Sequence, residues 1–192
     1  MRVGRAFVIL ALVVCGCGAP AAPPRFPPGF ALSLPGSDGR SHDVTAELAR
    51  ATFTVFVFYS EDCPCMRVHE GRLAELGTRY APNGVRVVLV DSETTAAAAR
   101  DAAEARRRGY PFVLLTDADA RLARLFGAKF ATHAIVADAT GAVRYSGGID
   151  SDKNVLHADA KPYLREAIDA LLAGRTPPTP DREPLGCALR TH

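Results

Sequence analysis

Neither sign of charge is in excess: 23 Lys and Arg stand against 21 Asp and Glu, a formal net charge of +2. Such a balance argues against nucleic acid as a partner, because binding to phosphates rests on a basic surplus. Long apolar runs are missing too. The segment from Ala6 to Val14 is nine residues, against about 20 needed for a helix to cross a bilayer. No internal repeat is visible, so solenoids and propellers drop out. Cysteine is scarce, five in 192 residues, and its placement carries most of the functional reading. At 48% hydrophobic, the chain can bury the core of one domain with material left for tails.

The first five residues, Met1-Arg2-Val3-Gly4-Arg5, are basic, and with the apolar segment after them they have the form of a secretory signal peptide. Val14-Cys15-Gly16-Cys17 follows. A small residue before a cysteine at this place resembles a bacterial lipobox, with residues 1–16 as leader and Cys17 lipidated. Cleavage before Cys15, or an ordinary cleaved signal, are the alternatives. The expectation is an exported protein of the bacterial cell envelope, facing the periplasm and held to the membrane through Cys17. Loss of Arg2 and Arg5 with the leader takes the formal charge to about zero. Residues 17–29 are rich in Pro and Ala and read as a semi-rigid tether. A folded domain at 30–174 and a Pro-rich tail at 175–192, carrying Cys187, complete the chain.

Residues 53–59 are apolar, β-branched and aromatic and read as a buried strand. Cys63-Pro64-Cys65 comes next, and Pro64 suits the first position of a helix. Two thiols are thus expected where a helix leaves the end of a central strand. A free thiol titrates near ~8.5 and falls at helix N-termini or beside cations. The helix end is worth about 0.3–2 kcal/mol to an anion, roughly 0.2–1.5 pKa units. His69 lies four residues after Cys65 and so shares its helix face. It is either an ordinary boundary residue of the apolar stripe or a partner in thiol chemistry.

The rest alternates. A short strand at 30–34, a turn at 35–39 and a turn of helix at 44–50 precede the central strand. The cysteine helix runs to Tyr80 on the stripe Met66, Leu73, Leu76 and Tyr80. A strand at 85–90, an Ala-rich helix at 95–108 and a strand at 112–115 follow. Then come a helix at 121–126 and a hairpin, 133–137 with 142–146, turning at 138–141. A last amphipathic helix carries Tyr163, Leu164, Ala167, Ile168, Leu171 and Leu172 and is closed by Gly174. Strands alternating with helices predict an α/β domain, a central mixed sheet with helices on both faces and a C-terminal hairpin plus helix.

This order resembles the thioredoxin-like fold, and within it the exported redoxins, which combine thioredoxin and peroxiredoxin features. Three stretches carry the likeness: residues 58–63 (Phe-Tyr-Ser-Glu-Asp-Cys), 110–117 (Tyr-Pro-Phe-Val-Leu-Leu-Thr-Asp), and 134–147 from Ala-Ile-Val-Ala-Asp to Tyr-Ser-Gly. The resemblance implies Cys63 as the attacking thiol, and protein thiols and disulfides as partners of a monomer. Departures are informative. The family's second cysteine falls where Met66 stands, and Cys63-Pro64-Cys65 is one residue shorter, so a disulfide within it closes a tight ring. The family's cis-proline falls at Thr132-His133, where a trans bond is expected, since cis costs about 2.5–4 kcal/mol without proline. An imidazole from His133 is then expected near the thiols. Val57 stands where thioredoxins bury an acid, while Phe56 and Ser60 replace the peroxiredoxin proline and threonine, which disfavours a standard peroxidase.

The primary expectation is a membrane-tethered thiol–disulfide oxidoreductase without a cofactor. Cys63, exposed at the helix start, attacks, Cys65 or Cys187 resolves, and His69 or His133 moves protons. The alternative is a copper(I) or zinc(II) module in which Cys63, Cys65, His69 and His133 are ligands. Cys187 is either a resolving thiol that folds back or a free thiol on a loose end.

Overall fold

The computed structural model describes residues 25–178 and 183–191. The leader, Cys17 and most of the tether lie outside the described residues.

The sheet is built around β3 (Phe53–Tyr59), which is central because every residue after Phe53 is buried. Strands β4 (Val85–Asp91) and β5 (Val113–Thr116) run parallel to it on one side. Strands β6 (Ala134–Asp138) and β7 (Val143–Gly147) run antiparallel, β6 to β3 and β7 to β6, on the other, for an order β5-β4-β3-β6-β7. The two parallel neighbours are reached through crossovers carrying α2 (Pro64–Tyr80) and α3 (Ala98–Arg108).

Alternation along β3 divides the interior in two. Val55, Val57 and Tyr59 join Met66, Leu73 and Leu76 of α2 with Leu164 and Ile168 of α5 (Tyr163–Leu172). Phe56 and Phe58 face the opposite core, shared with Leu122 of α4 (Arg121–Phe126) and Leu48 of α1 (Val44–Ala49). Each fully buried Leu or Met contributes about 1.5–3 kcal/mol, so α2 is held chiefly by Met66 and Leu73, both at 0% exposure. A small hairpin, β1 (Ser33–Pro35) with β2 (Ser41–Asp43), covers the second core. This is the thioredoxin-like fold.

Three boundaries differ from the sequence reading by more than one residue. The Ala-rich helix begins at Ala98, not at 95, because residues 94–97 turn away after the Ala96 N–H donates to the Glu93 carbonyl. The first strand lies at Ser33–Pro35. The tether expected to reach residue 29 stops short of that: Phe26 is buried against Phe30 and Phe126, and its N–H donates to the Gly141 carbonyl. An aromatic side chain this large docks wherever an apolar wall is in reach.

Candidate active site

Cys63 is the N-cap residue of α2, in extended conformation at φ −83 and ψ 111, with Pro64 opening the first turn. The Cys63 N–H donates to the Ser60 carbonyl, and the Cys63 carbonyl accepts from the Arg67 N–H. The residue is therefore fixed at both ends. Cys65, one position inside the helix, faces the same core as Met66 and Leu73.

The third cysteine comes from the tail. Residues 187–190 run alongside the loop before β6: the Ala131 N–H donates to the Cys187 carbonyl, and the Leu189 N–H donates to the Lys129 carbonyl. Gly186 makes this approach possible, since a Cβ built there would lie 1.6 Å from the Ala131 carbonyl oxygen. Beyond it, the Arg190 guanidinium reaches Glu93 at 2.7 Å and Asp62 at 3.5 Å, and the Thr94 N–H donates to the Arg190 carbonyl at 2.7 Å. The result is that the sulfurs of Cys63, Cys65 and Cys187 all lie within 4.8 Å of one another. The Cys187 N–H donates to Cys63 Sγ at 3.3 Å.

Burial reverses two expectations. Cys63, expected to be exposed at the helix start, has 0% of its surface accessible, and Cys65 has 3%. Burial, together with the neighbouring Cys63, pushes the Cys65 thiol up rather than down. Burial and the two other sulfurs push Cys187 up to about 12. At these two thiols, removal from water and mutual repulsion outweigh the helix end. The tail that completes the cluster also closes it.

Neither histidine joins the sulfurs. His69 does lie on the face of Cys65, but its ring spans two acceptors, the Cys65 carbonyl at 2.6 Å through Nδ1 and Asp150 Oδ1 at 2.9 Å through Nε2. Neither acceptor can donate, so the ring carries both protons. Burial opposes that charge, but the Asp150 bond and the Cys65 carbonyl raise the pKa overall. The partners continue outward, as Arg72 bonds Asp150 at 2.6 Å and Asp152 at 2.8 Å. His133 is corrected more sharply. Alternation on β6 puts Ala134 and Val136 in the thiol-side core but Ile135 in the other. His133 follows Ile135: it packs at a tilt against Phe58, bonds Ser146 at 2.9 Å, and burial lowers its pKa to about 4. It is a neutral ring on the far face of the sheet. The expected set of two thiolates with His69 and His133 does not converge. The Thr132–His133 bond is trans.

The sequence reading missed Arg72 of α2 and also Asp150 and Asp152, whose only local signal was the Gly147-to-Asp152 stretch after the hairpin. It also missed the buried acids Asp91 and Asp101, near the end of β4. Burial and their mutual repulsion raise Asp91 to about 7, and Asp101 is raised by burial.

Comparison with known proteins agrees with the fold. A family model described as Redoxin matches residues 21–164. No curated protein matches the chain. A solved structure of a hypothetical protein from Sinorhizobium meliloti is 25% identical, covers 91% of this chain and 97% of its own, and superposes with a TM-score of 0.77. A putative thioredoxin from Neisseria meningitidis is 18% identical over 65% of this chain and 79% of its own, TM-score 0.53. Peroxiredoxin Q from Xanthomonas campestris is 17% identical over 74% and 88%, TM-score 0.54. The last two likenesses concern the fold alone.

Proposed function

The chain belongs to the redoxin family, and from that premise we propose that it is a thiol–disulfide oxidoreductase, exported and tethered to the membrane by a lipid on Cys17. A redox-type role follows from the family and from cysteines in contact. The finer reading rests on one observation: a tail cysteine seated on Cys63, with all three sulfurs within 4.8 Å.

Cys63 is the attacking group. Its sulfur sits at the start of α2 and accepts the Cys187 N–H. The thiolate attacks one sulfur of a substrate disulfide. That S–S bond breaks, the other substrate sulfur leaves as thiolate and takes a proton, and a mixed disulfide joins Cys63 to the substrate. A second thiol of the chain then loses its proton and attacks the Cys63 sulfur, releasing the remaining substrate thiolate. Two thiols of the chain end as one disulfide and the substrate disulfide as two thiols; the reverse sequence oxidises a dithiol.

Cys187 suits the second step better than Cys65. A Cys63–Cys65 disulfide would close a ring across only Pro64, whereas Cys187 arrives on a separate segment free of that constraint. The same tail buries Cys63, so it must lift for a protein disulfide to enter. In an insulin-reduction assay Cys63→Ser is expected to abolish activity. Cys187→Ser is expected to accumulate the mixed disulfide by mass spectrometry, while Cys65→Ser turns over. Full activity of Cys63→Ser would overturn the assignment.

A further inference from the structure

We propose that Cys63, Cys65 and Cys187, when reduced, form a closed three-sulfur site for a soft monovalent cation, copper(I). This goes beyond the redox reading, because it needs only reduced thiols and no exchange step.

The geometry is close to what such an ion requires. Sulfur ligands sit at roughly 2.3 Å from a bound d10 ion, and a planar trio at that distance has sulfurs roughly 4 Å apart. The three sulfurs here lie within 4.8 Å of one another, so a contraction below an ångström brings them to bonding range. Side-chain motion alone covers that. The donor set then selects the metal. Thiolates favour copper(I), zinc and iron–sulfur clusters, while calcium and magnesium want oxygen.

What separates copper(I) from zinc is the missing fourth ligand. Closed zinc sites are almost always tetrahedral. Among the described residues no imidazole or carboxylate joins the three sulfurs. The two imidazoles the sequence offered as ligands are spent: His69 on the Cys65 carbonyl and Asp150, His133 on Ser146 across the sheet. Water is a poor fourth ligand in a place where Cys63 is 0% and Cys65 3% exposed. A three-coordinate ion content with sulfur fits the trio; a four-coordinate one does not.

The third sulfur comes only with the tail. Gly186 against Ala131, the Phe130–Ala188 bridge and the Arg190–Glu93 pair together hold Cys187 over the other two. Metal would therefore lock the tail down, and a raised tail would leave two sulfurs. Binding also displaces thiol protons.

The test is an anaerobic titration of the reduced full-length chain with copper(I), competed against the coloured chelator bicinchoninate. One equivalent per chain is expected to be withheld from the chelator, with X-ray absorption showing three sulfurs and no nitrogen. Cys187→Ser should weaken retention by at least tenfold. Gly186→Ala keeps all three sulfurs but drives the tail from Ala131, and should weaken it similarly; its circular dichroism reports whether the domain stays folded. Copper left wholly with the chelator, or nitrogen ligands in the absorption spectrum, would overturn the proposal. So would Cys187→Ser and Gly186→Ala both binding like the parent. The insulin assay is independent of all of these, so the site can fail while the oxidoreductase reading stands, and the reverse.

Discussion

His69 shows how one residue's chemistry is decided by what its ring nitrogens meet. Helical spacing set it beside Cys65, yet both nitrogens are committed, one to the Cys65 carbonyl and one to Asp150. Its charge serves a buried cluster with Asp150, Arg72 and Asp152. Breaking one side of such a pair costs about 3–5 kcal/mol, since the remaining charge is stranded. His69→Ala is therefore expected to lower the unfolding free energy by that order in urea titration. The reactivity of the thiols toward a disulfide reagent should change little once the variant is compared in its folded state. A thiol titration shifted by a full unit would instead restore the ring to the redox chemistry.

At the scale of elements, α2 and the tail divide the work. The helix places Cys63 and Cys65 through Pro64 and the packing of Met66 and Leu73. The tail brings the third sulfur, through its backbone bonds to the loop before β6, the Arg190–Glu93 pair and one required glycine. A chain terminus docked in this way can open below the cost of global unfolding. Gly186→Ala is expected to raise the rate at which Cys63 reacts with a disulfide reagent by at least tenfold, with thermal stability nearly unchanged. Stopped-flow rates equal to the parent's would show that the tail does not control entry.

For the whole molecule, buried charge sets the response to pH. His69 is held above its ordinary value near 6.5, so its contribution is complete below 6.5 and is lost as pH rises through the folded value. Asp91, raised to about 7 from 3.8, adds to the same trend, since charging it inside the fold costs more than in the open chain. Asp152 works in the opposite direction. Burial acts against its charge, but the His157 N–H and Arg72 hold it at about 2, and Asp150 is likewise lowered. Those two contributions are complete above about 3.9 and fade as pH falls through the folded values. Urea midpoints are expected to peak at about pH 4, where the lowered acids are fully charged and Asp91 is still protonated, and to decline from there toward pH 8; a midpoint still rising at pH 8 would refute the assignment.

Local chemistry was enough to make much of this legible. The run from Phe53 to Tyr59, the proline between the two cysteines, the helix from Arg121 stopped by Gly127 and the stripe from Tyr163 to Leu172 each declare themselves within a few residues. Their period and their breakers depend on neighbours in the chain. The site is another matter. Whether His133 faces the thiols turned on the alternation of β6 against β3, and whether Cys187 meets Cys63 turned on a contact across 124 residues. The raised titration of Cys187, caused by burial and its two sulfur neighbours, arises only when the tail lies on the loop before β6. Spacing determines which residues can share a face; only packing from distant segments determines what that face meets, because solvation and partners are properties of the assembled surface.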